Sequence, residues 1–276
     1  MPLMKKNKSL LLSGPYIAFM VIFTLIPLCV VLYYALTDVQ TGAFSLKNIQ
    51  NLVLYLPAFG RSILYSLVSA LICLLIGYPV AYYMAHCSAT AQRFLYMLVM
   101  LPMCMSFLLR TLAWVGLLQD TGIINNFLAS IGLPRLSLIR TSGAVILGMV
   151  YNYMPYMILP LYSIIVKIDN RLIEAAEDLG CNSMQVFGRV VLPLSMPGIL
   201  SGLTMVFVPA VSTFYISNKL GSTETILIGD IIERQFKQGD NANMGAALSL
   251  LLMILVFVCT GIMNRFGGDE EGGVLV

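Results

Sequence analysis

The feature that most constrains this chain is the recurrence, along its whole length, of apolar stretches long enough to cross a bilayer. A hydrocarbon core about 30 Å thick requires ~20 apolar residues in helical form. Such runs extend over about Leu10–Leu36, Ser62–Ala85, Phe94–Leu117, Ser142–Val166, Gly198–Ser217 and Met244–Met263. Backbone polar groups in lipid must be satisfied within the protein, and a chain of these runs achieves this by forming helices. The expectation is an all-α integral membrane protein with six transmembrane helices. Residues 1–276 would form a single transmembrane domain, ending in a flexible, Gly-rich and acidic tail at 267–276.

Composition removes several function classes. The chain is 59% hydrophobic and 11% charged, and its net charge of +3 is too small to imply nucleic acid. The lipid bilayer is its expected surrounding. His86 is the one histidine, so a His-based catalytic or metal cluster cannot be built. The six cysteines have no C-x-x-C spacing and read as small buried apolar residues. No G-x-x-x-x-G-K-[ST] occurs. No catalytic residue, metal ligand or cofactor of its own is therefore expected, and ATP hydrolysis is not.

Lys5, Lys6 and Lys8 precede the first run, which is too long for a signal peptide and lacks a small-residue cleavage site. It reads as an uncleaved helix, with Pro15 in its first turn and Pro27 at a kink. Residues 37–60 read as an outer segment with a short interfacial helix marked by Phe44, Leu46, Ile49, Leu52 and Val53. A second outer amphipathic segment carries Ile228, Ile231, Ile232 and Phe236. An even number of spans puts both termini on one side. Lys5, Lys6, Lys8, Arg93, Lys167, Arg171, Arg189 and Arg265 lie on that side; the other 8 of the 16 Lys+Arg lie towards the opposite one. The tie is broken by the lysines beside the first helix, which place both termini inside, in the cytoplasm.

Charge concentrates between two apolar runs, in Glu174-Ala175-Ala176-Glu177-Asp178-Leu179-Gly180 and the stretch up to Ile199. Asp169 or Asn170 can cap a helix whose Leu172, Ala175, Ala176 and Leu179 share a face. Gly180 suits a left-handed helix end. Ser183 can cap a second short helix through Val186, Phe187 and Val190, stopped by Pro193. Two short amphipathic helices with a tight bend form a knob suited to another protein's groove, or simply a solvated loop between spans. Glu174, Ala175, Ala176, Gly180, Phe187, Leu192, Pro193, Pro197 and Ile199 resemble the EAA loop of type I ABC-importer permeases. The resemblance covers roughly residues 62–265 as the core permease region. It implies that Glu174, Ala175, Ala176, Asp178, Gly180 and Phe187 couple the chain to an ATPase: Glu174 beside a basic or hydrogen-bonding group, the alanines allowing close approach, Gly180 setting the bend.

Polar groups in the spans mark a candidate path. Arg110 lies late in the third span, either snorkelling to the boundary or lining the path. Trp114 is an interfacial anchor or a stacking ring. Asn152 and Tyr156 share a helix face, and Tyr215 and Asn218 follow Pro209. They form a cavity wall or join helices by hydrogen bonds. Gly198 and Gly202 are spaced for close helix packing.

Leu109-Arg110-Thr111 with Trp114, Gly122-Ile123-Ile124-Asn125, Pro160-Leu161-Tyr162-Ser163, Phe214-Tyr215-Ile216-Ser217, and Leu227-Ile228-Gly229 with Gln235-Phe236 resemble one branch, the spermidine/putrescine transporter permeases. Where that branch can carry an acid after the Phe-Tyr-x-Ser run, this chain has Asn218. The resemblance implies a plasma (inner) membrane permease moving polyamines by alternating access. Its partners would be a dimer of ATP-binding subunits holding ATP and Mg, a second homologous permease subunit and an extracytoplasmic substrate-binding protein. The alternatives are an importer permease for another small solute, an ion-coupled secondary transporter and a membrane-embedded enzyme. The last two lack the ionisable residues they need at membrane depth.

Overall fold

The computed structural model describes residues 15–16, 18–39, 42–237 and 241–267. The three N-terminal lysines and the expected tail beyond Gly267 lie outside the described residues. Among those described, the regular structure is helical, apart from one antiparallel bridge between Thr37 and Phe44. Among the described residues six stretches are long and apolar enough to cross a membrane: Ala18–Ala35, Lys47–Ala85, Phe107–Ser130, Ser142–Ile165, Ser183–Val211 and Ala242–Met263.

The helices are α1 (Ala18–Ala35), α2 (Lys47–Asn51), α3 (Leu56–Ala85), α4 (Ala89–Met100), α5 (Phe107–Leu118) and α6 (Ile123–Ser130). They continue with α7 (Ser142–Ile165), α8 (Asn170–Asp178), α9 (Ser183–Val211), α10 (Tyr215–Leu220), α11 (Ile228–Lys237) and α12 (Ala242–Gly267).

Helix α3 turns the pattern of a water-soluble helix inside out. Leu64, Leu67, Leu71 and Leu75 are exposed, while Ser62, Ser66, Ser69 and Cys73 are buried. Leucine is at home against lipid, whereas small and polar residues gain by packing and hydrogen bonding inside. Accordingly Ser66 donates to the Ser62 carbonyl at 2.7 Å, and the Cys73 thiol reaches the Val150 carbonyl of α7 at 3.6 Å.

Three of the expected spans differ in extent. The second, expected over Ser62–Ala85, is preceded without a break by helical turns from Lys47, inside the expected outer segment 37–60. The third, expected to be continuous over Phe94–Leu117, is broken: α4 passes into a 3-10 turn at Leu101–Cys104, Met105 is extended, and α5 begins at Phe107. Pro102 has no N–H to donate to the preceding turn, which ends the regular helix there. The fifth, expected over Gly198–Ser217, begins fifteen residues earlier at Ser183 and ends at Val211, before the separate helix α10. Pro193 does not stop it. A π turn at Phe187–Val191, closed by the Leu192 N–H on the Phe187 carbonyl, widens the helix ahead of the proline. The ring would otherwise press on the carbonyl of Arg189, four residues back and inside that turn. In α1 a π turn at Val21–Leu25 stands at the same offset from Pro27, the site of the expected kink. At the C-terminal end, α12 runs on past Arg265 to Gly267.

The chain divides into two compact units, one of Met1–Leu56 with Ile231–Ile254 and one of Pro57–Asp230 with Leu255–Val276. The first is knotted by the Thr37 carbonyl, which accepts from the Asn48 side chain at 2.9 Å and the Asn243 side chain at 2.7 Å. Small residues Ala35, Ala246 and Ala247 pack beside this network. In the second unit, α7 and α9 form the most extensive helix pair. A Cβ at Gly198 would stand 3.1 Å from Ile164, and one at Gly202 would stand 2.7 Å from the Met157 sulfur. The G-x-x-x-G spacing is therefore what lets the two backbones approach.

Candidate functional site

The charged stretch folds into the expected knob. Asp169, not Asn170, caps α8 by accepting from the Arg171 N–H at 3.0 Å. Gly180 takes φ +83°, the Gly180 N–H reaches the Glu177 carbonyl at 2.8 Å, and the Cys181 N–H reaches the Ala176 carbonyl at 3.1 Å. This pair of bonds is the Schellman closure, and it turns the chain sharply. The next cap is Asn182 rather than Ser183: its side chain accepts from the Gln185 N–H while the Gln185 side chain accepts from the Asn182 N–H.

The knob presents its apolar face to the outside. Leu172 is 49% exposed, Leu179 87% and Met184 77%, with Glu174, Ala175 and Asp178 exposed among them. Ala176 and Ile173 are half-buried and turn towards the chain. Phe187 also turns inward, its ring edge-on to Tyr78 at 5.5 Å and to Tyr82 at 6.2 Å. Beneath the knob lies a cavity of about 660 Å³ between the turn after α3 and the start of α8, lined in part by His86, Gln92, Lys167 and Asp169. Gln92 holds this turn together: it donates to the Ala85 and Cys87 carbonyls and accepts from the Tyr162 hydroxyl at 3.2 Å.

Sequence reasoning did not find the hydrogen bond between Tyr78 of α3 and Ser195 of α9, nor the role of Gln92. The only sign of the first was a buried-type hydroxyl inside an apolar run, which needs some partner; pairing it with Ser195 required the packing of the two helices.

The path candidates separate into three settings. Arg110 on α5 is buried within the chain, 7% exposed, and its Nε and Nη1 have no hydrogen-bond partner. Such burial speaks against snorkelling, which carries the guanidinium outward. On α5, α7 and α10 aromatic rings come together: Phe107 lies 6.5 Å from Tyr153 and 6.4 Å from Tyr215, and Tyr153 lies 6.4 Å from Tyr156. Tyr153 is within electrostatic reach of Arg110, and its hydroxyl donates to the Pro209 carbonyl at 3.2 Å.

Trp114 stands apart from these rings, edge-on to Tyr151 at 5.4 Å. Asn152 faces inward, 1% exposed, donating to the Gly148 carbonyl at 2.9 Å with its Oδ1 unpartnered. Tyr156, on the same helix face, is 37% exposed and reaches the surface of the chain. Asn218 is exposed, and Lys219 beside it lies 5.8 Å over the Tyr215 ring. Of the two readings of these polar groups, a helix-joining hydrogen bond is seen in Tyr153, which bonds from α7 to α9. Among the described residues no group of three or more His, Cys, Asp or Glu could hold a metal ion.

The exposed knob is continuous with α9, and α9 packs on α7, which carries Asn152, Tyr153 and Tyr156. Residues 74–267 match the family model described as binding-protein-dependent transport system inner membrane component. The spermidine/putrescine transport system permease protein PotB of Haemophilus influenzae is 38% identical over 264 residues, covering 90% of this chain and 92% of that protein. Among solved structures, a bacterial ABC transporter involved in the import of the acidic polysaccharide alginate has a chain aligning with a TM-score of 0.82 at 19% identity, covering 98% of this chain and 99% of that one. The bacterial alginate ABC transporter in complex with an alginate pentasaccharide-bound periplasmic protein aligns with a TM-score of 0.71 at 19% identity, over 95% of each chain.

Proposed function

We infer, from the premise that this chain belongs to the binding-protein-dependent transport system inner membrane components, that it is an ABC-importer permease whose cargo is a polyamine of the spermidine/putrescine class. It is a multi-pass inner-membrane protein. The observation that carries the cargo is the 38% identity to a spermidine/putrescine permease across nine-tenths of the chain. Tyrosine faces such as Tyr153, Tyr156 and Tyr215 supply what an ammonium group can use without a carboxylate.

ATP with Mg is held by a dimer of partner ATP-binding subunits, and its hydrolysis supplies the work. This chain contributes the knob, with Glu174 and Asp178 offering charge, Leu172, Leu179 and Met184 offering apolar contact, and Ala175 letting the partner surface come close. Gly180 and the Asn182 cap join the knob stiffly to α9. Movement of the knob then moves α9, and α9 moves α7 because Gly198 and Gly202 lock the two together. Since α7 carries Tyr153 and Tyr156, the path changes between inward-open and outward-open as rigid helices shift. Phe187 acts inside the chain, bracing the root of the knob against α3.

A second homologous permease completes the path, and an extracytoplasmic binding protein delivers the cargo. The periplasmic protein of the alginate transporter complex supports a partner of that kind. Both termini and the knob lie in the cytoplasm. The test is uptake of labelled spermidine and putrescine by liposomes holding the complete importer, with and without ATP. ATP-dependent uptake competed by each amine is expected. ATP-dependent uptake of a different solute, with neither amine competing, would overturn the cargo. Modification of a cysteine placed at Leu179 by an impermeant reagent from outside intact cells would overturn the orientation.

A further inference from the structure

We propose that Arg110 is a cation-excluding residue of the path, an unneutralised guanidinium that stops small inorganic cations from passing and keeps a polyamine from lodging between cycles. This rests on the reading that the rings of α5, α7 and α10 line the path. Arg110 is 7% exposed, and neither Nε nor Nη1 has a hydrogen-bond partner. Among the described residues the ion pairs are Lys47–Asp38 and Lys237–Glu233, and no carboxylate stands at ion-pair distance from Arg110. Guanidinium groups keep their charge inside proteins. The result is a fixed positive charge in a low-dielectric setting, where its field is strong and weakly screened.

The neighbours of Arg110 do not quench that charge. Phe107 sits one turn before it on α5 and Thr111 directly after, the latter donating to the Phe107 carbonyl at 3.0 Å. Tyr153 is engaged with the Pro209 carbonyl. These are rings and satisfied hydroxyls, which leaves water or a passing anion to solvate the guanidinium. Rings attract ammonium groups and the guanidinium repels them. Together they give a polyamine a surface to slide past rather than a site in which to stay. A small inorganic cation is too strongly hydrated to exchange its water for a ring face, and it meets mainly the repulsion. Electrostatic barriers of this kind set selectivity in other membrane pathways.

The experiment uses the complete importer in liposomes loaded with potassium and an uncharged sugar, turning over ATP and spermidine. Arg110→Gln is expected to raise potassium release about tenfold or more with sugar release unchanged, while Arg110→Lys stays near the parent. Potassium release at the parent level from a fully assembled Arg110→Gln complex would overturn the proposal. A parallel rise of potassium and sugar would also overturn it, since it marks loosened packing. The path reading is tested separately by labelling Tyr156→Cys with Arg110 intact. Protection by spermidine is expected; its absence would remove the premise, whereas protection without a potassium effect in Arg110→Gln would reject only the role of Arg110.

Discussion

The Tyr78 hydroxyl on α3 and the Ser195 hydroxyl on α9 are 2.8 Å apart in a buried contact, at the level where the knob joins the bundle. Ser195 donates its own proton to the Leu192 carbonyl at 3.0 Å, so Tyr78 is the donor between the two. The same Tyr78 ring meets Phe187 edge-on. One side chain thus braces both the π turn inside α9 and the helical turn that follows it.

Tyr78→Phe removes that donor while keeping the ring. A neutral hydrogen bond contributes about 1 kcal/mol net, and the complex should unfold a few degrees lower in detergent. Uptake per ATP hydrolysed should fall by more than the stability loss explains. Unchanged coupling in a folded Tyr78→Phe complex would show that the bond is only structural.

Gly180 has open space around the position of a Cβ, so any penalty for substitution comes from its backbone at φ +83°. A left-handed L-residue costs about 1–2 kcal/mol, and a β-branched one is worse. Gly180→Val is expected to leave the membrane helices and subunit assembly intact while uptake is lost and ATP hydrolysis becomes independent of cargo. Glu174→Arg should do the same by reversing an exposed charge. Full uptake by both variants, measured beside co-purification of the ATPase, would refute the coupling role.

The π turn at Phe187–Val191 carries one more residue per turn than an α-helix. Deleting Gly188 takes out that extra residue, so the turn can close only as an α turn, and the Pro193 ring then meets the carbonyl four residues back and distorts the root of the knob. Gly188→Ala should be silent, since nothing lies within 4 Å of its Cβ position. The measurement is ATP-dependent uptake with assembly checked by co-purification. Equal uptake by the deletion and by Gly188→Ala would sink the idea that the widened turn sets the position of the knob.

Met157 is fully buried between Gly77, whose Cβ would stand 3.1 Å from its Cγ, and Gly202, whose Cβ would stand 2.7 Å from its sulfur. Gly202→Ala should therefore destabilise by about 1–3 kcal/mol through overpacking. In a Met157→Ala background, itself destabilised, the same Gly202→Ala change should cost little, because the methyl group then enters vacated space. Thermal unfolding of the single and double variants in detergent measures the coupling, and simple additivity would exclude direct contact as the cause.

The helical membrane class, the extent of α7 almost to the residue and the glycine-hinged knob are all legible in the order of residues alone. Each of these is written locally. An apolar run of bilayer length must satisfy its backbone internally, and Asp169, Gly180 and Asn182 act on groups within a few residues of themselves. Pro193 was misread for the same reason: a proline announces a missing donor, but whether the helix stops or widens depends on whether continuing it is rewarded elsewhere. Here α9 continues because its glycines pack on α7.

Packing between helices is what turns Phe187 inward, buries Asn152 but not Tyr156 on the same face, and leaves Arg110 without a counter-charge among the described residues. Helical spacing gives the angle of a side chain about its own axis. It says nothing of which neighbour occupies that angle, and burial and charge pairing arise from residues tens of positions away, whose approach is set by where small side chains let two helices meet.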